Sequence, residues 1–562
     1  MTTGTTTLIG EVAAPGTALG FAHRTDRQAE ASLPRRAAGD PVRRITDAFA
    51  AVAADLARLA ERLRTRGRPH DADIMEVTGY IARDPDLIAA AVRRAEQGVP
   101  ATVAIRQAVT WHADAIAALD DPTLAERAAD VRQVGRRALA RLDGRASRIT
   151  AGPLVLIAQE IGAADLLDAD APIVAALSVT GGPNSHAAIV ARSLSIPLLV
   201  GIDPAVLNLE DGVELLIDGE HGRIQLDPPA AEREAVLAQL AHVRALQEAY
   251  ASEREQPCRT ADGHGVTLRA NIATPDEARA ALEVKADGIG LLRTELPFLD
   301  ATRWPTQTLH TRALLPILAK LAGEPVTVRT LDFADDKLPP FLAHEREGER
   351  IARWLPEMLA VPDALGAQFR AILSAAPAGT ELHVMIPMVA DLAELHTCRR
   401  LLHEAAAALA VPPPPLGIMI ELPQAVERAH ELTAAAEFVS IGTNDLTGQI
   451  LGLDRRDPAA GPAMTAHPRV LTAIGRVVRA AHGHGRTVSV CGDAAAHPLV
   501  IPLLLGLGVD ILSAAPARVD EIRHRIRRLR IADCMDIAEA ALKCDTVQQA
   551  WTLVRERGQG EG

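Results

Sequence analysis

The sequence is short of most features that would tie it to a membrane, to nucleic acid or to an oxidising compartment. Aromatic residues make up 2% of the 562 positions, so any core must be aliphatic, built from Ala, Leu, Val and Ile. Its five cysteines (258, 398, 491, 534, 544) are odd in number and scattered. They form neither a disulfide framework nor a zinc ligand set, and a reducing compartment is expected. A formal charge of −13 and the scarcity of aromatics argue against a nucleic-acid binder, which would show a basic face. The longest apolar stretch, Pro498 to Val509, is too short to span a bilayer. The opening Met-Thr-Thr-Gly-Thr-Thr-Thr lacks the basic segment and apolar core of a signal peptide. Together these absences predict a cytoplasmic protein with no membrane insertion. With 48% hydrophobic and 23% charged residues the composition is that of a globular protein, and the length calls for three or four domains.

The patterning changes along the chain. Residues 8–20 read as a strand and a turn. From Pro41 to Leu142 apolar residues recur at helical spacing: Ile45, Phe49, Val52, Leu56, Leu59 and Leu63 on one face, Leu87, Ala91 and Ala95 on a second. Ile105, Val109, Ile116 and Leu119 make a third, and Val131, Val134, Ala138 and Leu142 a fourth. Four amphipathic helices predict a small bundle. Short strands return at Leu154–Ala158, Ile173–Val179, Leu198–Gly201, Val213–Asp218 and Arg223–Leu226. The bundle, 35–143, is therefore read as an insertion in one α/β domain made of 1–34 and 144–227. A charged linker helix occupies 228–256. From Val266 strands and helices alternate, with strands near 266–272, 287–292, 325–331, 381–387, 416–421, 437–442, 487–491 and 509–513. This predicts a (β/α)₈ barrel over 257–540, followed by a C-terminal tail, 541–562.

Two groups of residues carry chemistry. In Thr180-Gly-Gly-Pro-Asn-Ser-His186-Ala-Ala-Ile-Val-Ala-Arg192 an apolar strand ends at two glycines and a helix begins, with Asn184 or Ser185 as its cap. His186 then lies in the first helical turn, where free N–H groups and the dipole favour an arriving phosphoryl group and disfavour imidazolium. Gly181 and Gly182 leave room for a large group to approach. A lone segment of this kind would read as a helix-capping loop whose histidine merely hydrogen-bonds nearby. In the barrel, reactive residue types follow successive strands: Arg293, Arg329 with Asp332, Glu421, Asn444-Asp445 with Asp454-Arg455 beyond, and Cys491 with Asp493. Taken singly these read as salt bridges, caps and a buried hydrophobe. Their shared position on one barrel face suits a substrate with both phosphate and carboxylate. Arginine forks bind such oxygens, Glu421 and Asp445 would hold Mg²⁺, and a thiol over a carbon could protonate it.

The His186 segment resembles the phosphohistidine segment shared by enzyme I of the bacterial sugar phosphotransferase system, pyruvate phosphate dikinase and phosphoenolpyruvate synthase. The barrel motifs resemble the phosphoenolpyruvate-binding barrel of the same family, in matching order. With Ala14-Pro-Gly-Thr-Ala-Leu-Gly20 and the insertion, the resemblance covers nearly the whole chain. A bundle stands where the dikinase and the synthase carry an ATP-grasp region, so the match is to the enzyme I family. That resemblance implies an α/β multidomain fold, with a swivelling phosphohistidine domain and inserted carrier-binding bundle before a TIM-type barrel. It implies that Nε2 of His186 takes the phosphoryl group of phosphoenolpyruvate and passes it to a histidine of an HPr-type carrier, releasing pyruvate, as the first step of sugar uptake. Arg293, Arg329, Asn444, Asp445 and Arg455 would bind substrate, Glu421 and Asp445 would hold Mg²⁺, and Cys491 would protonate the enolate. A homodimer through the barrel is also implied. The chain departs from the family at Asn184 (usually Thr), Ala334-Asp335 (Gly-Gly), Gly448-Gln449 (Gln-Tyr) and Asp493 (Glu), and keeps only Gly348, Arg350 and Arg353 of a longer arginine segment. A regulatory phosphoprotein with little turnover, or an ATP-independent relative of the synthase with a small-molecule acceptor, are the alternatives.

Overall fold

The structure is a computed structural model that describes residues 7–25, 40–65, 69–118, 127–143, 152–167, 172–183, 185–333, 338–343, 353–453 and 461–557. The chain forms two compact units, 1–244 and 245–562, each with cores of its own.

In the first unit, strands β1 (Thr7–Ile9), β2 (Glu11–Ala14) and β3 (Thr17–Arg24) precede the helices. Strands β4 (Leu154–Ala158), β5 (Ile173–Ser178), β6 (Leu198–Val200), β7 (Glu214–Asp218) and β8 (Arg223–Leu226) follow them. All eight make one sheet in the order β1-β8-β7-β3-β4-β5-β6-β2. The chain leaves the sheet at β3 and re-enters at β4, which lies beside β3 in parallel with Phe21 opposite Leu154. The helices are therefore an insertion between neighbouring strands, as the sequence pattern predicts. Every residue of β4 is buried, because side chains alternate between two covered faces. Val155 and Ile157 join a core on one side, Leu156 and Ala158 the core shared with the bundle.

Among the described residues the insertion holds five helices, not four: Pro41–Thr65, Pro69–Ile81, Pro85–Glu96, Ala101–Ala117 and Arg127–Asp143. Helix Pro41–Thr65 buries all six residues of its expected face; full burial of a side chain such as Phe49 or Leu56 contributes roughly 1.5–3 kcal/mol. The helix absent from the sequence reading is Pro69–Ile81. Asp73, Thr78 and Gly79 interrupt its apolar residues, which blurs the 3.6-residue period. Leu119, placed on the third face, lies outside the described residues. Helix Arg127–Asp143 is docked on the loop after β4: Arg132 pairs with Glu160 at 3.2 Å, Arg136 with Asp165 at 3.2 Å, and Arg137 donates to the Ala164 carbonyl at 2.9 Å.

The second unit is a closed parallel barrel of β9 (Thr267–Ile272), β10 (Ile289–Leu292), β11 (Pro325–Arg329), β12 (Glu381–Ile386), β13 (Leu416–Ile420), β14 (Val439–Ile441), β15 (Val488–Val490) and β16 (Ile511–Ala514). The eight strands coincide with the eight expected ones. They are short runs dominated by Val, Ile and Leu, as strands covered on both faces require. Helix Ala230–Ser252 buries none of its residues, and the division between the units falls within it. The expected C-terminal tail is corrected in part: helix Val547–Arg557 buries Val547, Ala550 and Val554 in the barrel core, and Trp551 donates to the Ala463 carbonyl at 3.0 Å. No helix among the described residues is long and apolar enough to cross a membrane.

Candidate functional site

Each unit carries one group of reactive side chains at an element terminus. In the first, β5 ends at Ser178 and helix His186–Ser193 begins eight residues later. The intervening loop is held by its own polar groups. Ser178 donates to the Thr180 carbonyl at 2.6 Å and accepts from the Ile161 N–H at 3.0 Å, and the Thr180 hydroxyl donates to the Gln159 carbonyl at 2.9 Å. Arg192 donates to the Ala13 and Pro183 carbonyls at 2.7 and 2.8 Å, tying the helix back to β2 and to its own entry loop. Gly181 has φ +112°, a conformation that side chains resist, and a side chain on Gly182 would meet nothing within 4 Å. The two glycines thus supply the turn and the open approach. Ser185 is the N-cap, accepting from the Ala188 N–H at 3.3 Å; Asn184, the other candidate cap, lies outside the described residues. His186 is the first helical residue, with its side chain 22% exposed and Nδ1 3.5 Å from Asp130 Oδ2. Asp130 comes from the inserted bundle and had no place in the sequence reading.

In the barrel, a cavity of about 500 Å³ opens at the C-terminal ends of the strands. Arg293, Arg329, Glu421, Asn444, Asp445 and Cys491 all line it, so the structure brings together every expected barrel residue except Arg455, which lies outside the described ones. Arg293 follows β10, and its Nε is buried with no partner among the described residues. A buried cationic N–H without an acceptor points to an anion as its missing partner. Arg329 ends β11 and is paired with Glu295 at 2.9 Å and Asp332 at 2.6 Å. Burial alone would lower its affinity for a proton; the carboxylates of Asp332 and Glu295 outweigh this and lock the charge on. A buried network fixes that corner. Thr294 donates to the Arg329 carbonyl, and Gln368, wholly buried, donates to Thr294 and accepts from the Leu331 N–H. Arg353 is held by Glu394 at 2.7 Å and takes a structural role.

Glu421 is 1% exposed and accepts the Met388 N–H at 2.6 Å. Burial pushes its pKa well above the ordinary carboxylate range, and Asp332 and Asp445 push it further. A side chain on Gly442 would reach to 2.7 Å from Glu421 Oε2, so the glycine makes the cradle in which that oxygen sits. Desolvated carboxylate oxygens with like charges alongside call for a cation, and hard oxygen donors suit Mg²⁺. Among the described residues no three His, Cys, Asp or Glu side chains cluster as a complete cage.

Helix Thr443–Leu451 starts at this rim, with Asp445 in its first turn. Asn444 and Asp493 bind reciprocally: Asn444 Nδ2 donates to Asp493 Oδ2 and the Asp493 N–H to Asn444 Oδ1, both at 3.0 Å. The departure at Asp493 is thus a clasp between the segments that follow β14 and β15. Gly448 lines the cavity, Gln449 is exposed, and Ala334-Asp335 lie outside the described residues. Cys491 follows β15 and packs with Leu291, Met385 and Met419. Burial pushes its thiol up to about 11. Asn271, at the end of β9, donates to the Cys491 and Ser513 carbonyls at 2.8 and 3.1 Å; its polar side chain in an otherwise apolar strand end was the available signal.

Three family models match the chain: "PEP-utilising enzyme, N-terminal" over 10–127, "PEP-utilising enzyme, mobile domain" over 151–222 and "PEP-utilising enzyme, PEP-binding domain" over 247–531. A "Multiphosphoryl transfer protein" of Xanthomonas campestris pv. campestris is 36% identical over 563 residues, covering 98% of this chain, which spans 67% of that protein's length. The "Phosphoenolpyruvate-protein phosphotransferase" of Haloferax volcanii is 34% identical, with 90% of each chain covered. That of Bacillus sp. (strain S) is 30% identical with 98% of each covered.

Proposed function

The chain belongs to the PEP-utilising enzymes, in the enzyme I group of phosphoenolpyruvate-protein phosphotransferases, and from that premise we propose that it moves the phosphoryl group of phosphoenolpyruvate to His186 and on to a histidine of an HPr-type carrier. The observation that carries this reading is the barrel cavity. It gathers two arginines, a carboxylate pair and a protonated thiol, while a helix-start histidine stands ready in the other unit.

Arg293, with its unsatisfied Nε, and Arg329 take the substrate's phosphate and carboxylate oxygens. Asn444, held by Asp493, donates to the phosphate, and Arg455 adds a further cation. Glu421 and Asp445 would hold Mg²⁺, which when bound neutralises charge on the phosphoryl oxygens. Nε2 of His186 attacks phosphorus, the N–P bond forms and the bond to the enol oxygen breaks, leaving the enolate of pyruvate. Cys491, kept protonated by burial, gives its proton to the methylene carbon, pyruvate leaves, and solvent reprotonates the sulfur. His186 and the cavity belong to different units, and in this reading the sheet lobe swivels between barrel and carrier. The protein acts in the cytoplasm as a homodimer joined through its barrels.

Incubation with phosphoenolpyruvate and Mg²⁺, followed by intact-mass spectrometry, tests the proposal. One phosphoryl group should be gained, lost in acid and kept in base, as a phosphoramidate is. His186→Ala should gain none while still binding phosphoenolpyruvate. Undiminished incorporation in that variant would exclude His186, and a wild type that makes no pyruvate with a competent carrier would make the protein a regulatory one.

A further inference from the structure

We infer that Asp130 is the positioning residue of the histidine site, fixing the His186 tautomer from the inserted bundle. The inference rests on His186 being the nucleophile. Asp130 Oδ2 lies 3.5 Å from Nδ1 of the ring, and the residue is 2% exposed. Its partner on its own helix is Arg127, at 3.3 Å. An ionised carboxylate has about four acceptor sites, and leaving them unmet in a buried position is costly. Among the described residues, the ring Nδ1 of His186 stands in reach of this carboxylate as a donor. A neutral imidazole that donates from Nδ1 must carry its lone pair on Nε2. Asp130 thereby selects the atom that attacks.

The same contact acts after the first transfer. With the phosphoryl group on Nε2, a proton on Nδ1 gives the ring a positive charge that the Asp130 carboxylate stabilises. A cationic ring is the better leaving group. In onward transfer the N–P bond breaks, the acceptor nitrogen forms its own bond to phosphorus, and the proton remains on Nδ1.

The geometry is built rather than incidental. Asp130 stands on helix Arg127–Asp143, which is held against the sheet lobe by Arg132–Glu160, Arg136–Asp165 and the Arg137 bond to the Ala164 carbonyl. Gln133 passes so close to Gly162 that a side chain there would collide with it. The bundle's docking therefore sets the chemistry of a histidine on another sub-structure.

The test uses the full chain with ¹⁵N-labelled histidine. In the wild type at pH 7, His186 should show its proton on Nδ1. Asp130→Ala should lose that preference, and single-turnover phosphorylation by phosphoenolpyruvate should slow about 10- to 100-fold. That is less than the roughly 10⁴-fold cost when the orienting carboxylate of a catalytic triad is neutralised. Binding of phosphoenolpyruvate, which takes place in the barrel, should not change. Asp130→Asn is isosteric, can still accept from Nδ1–H, and should restore the tautomer and part of the rate. The inference is overturned if Asp130→Ala keeps the wild-type tautomer, or if the tautomer moves and the rate does not. Phosphorylation that persists in His186→Ala would instead sink the reading beneath it and leave the tautomer result standing.

Discussion

Burial holds the Cys491 thiol up at about 11, so at neutral pH the sulfur keeps its proton, which suits the acid role proposed for it and not that of a nucleophile. Cys491→Ser keeps the shape with a far weaker acid. Pyruvate production should fall much more than phosphoenolpyruvate binding, the mark of a group that acts in the transition state; steady-state turnover beside calorimetric binding decides it. A second buried group acts on stability. His310 is 1% exposed, meets Phe298 edge to face, and is pushed by burial down to about 4. Its native state excludes a proton that the unfolded chain accepts near pH 6.5, so its stabilising effect is complete above that pH and is lost as pH falls toward 4. Between pH 7 and pH 5 the barrel should lose about 2 kcal/mol on this account, and His310→Phe should flatten that slope in urea titrations. At this scale the sequence was partly readable. His186, Glu421 and Cys491 sit at strand or helix ends, where spacing marks them out. Asp130 sits in the first turn of its helix and Gln368 in the middle of its own, and only tertiary docking separates them from ordinary solvated residues.

Glycines mark the elements that the chemistry needs close together. Gly442, the N-cap of helix Thr443–Leu451, lets Glu421 into the space that a side chain would take. Gly442→Ala should leave the barrel folded yet push Glu421 aside, raising the Mg²⁺ concentration needed for half-maximal activity several-fold. Glu421→Gln should remove the dependence together with the activity. A metal titration of pyruvate release checks both, and an unchanged titration in each would make the carboxylate structural. The barrel strands were legible because parallel strands covered on both faces are continuous aliphatic runs. Helix Pro69–Ile81 was not legible, since its position is set by packing on helix Pro41–Thr65 rather than by a clear stripe of its own. Helix Val547–Arg557 was missed for a related reason: its buried residues are few, and its contacts lie with the barrel.

Over the whole molecule, two units with separate cores should melt separately. Calorimetry should resolve two transitions, and His310→Phe should alter the pH response of one of them alone; a single cooperative transition would mean that the units share their stability. The charged run over 228–256 was readable as a linker helix, and the division between the units falls within it; the order of strands in the first sheet was not readable, because pairing between distant segments leaves no local trace. That order has a consequence for biosynthesis. Strand β1 pairs with β8, Thr7 standing opposite Gln225, and β3 pairs with β4 only after the whole bundle has intervened. On the ribosome the bundle, rich in local contacts, can assemble while the first strands wait without partners. The edge closed by β1 and β8 is then completed only when synthesis has passed Leu226, and until that moment the nascent chain is most open to aggregation and to chaperone capture.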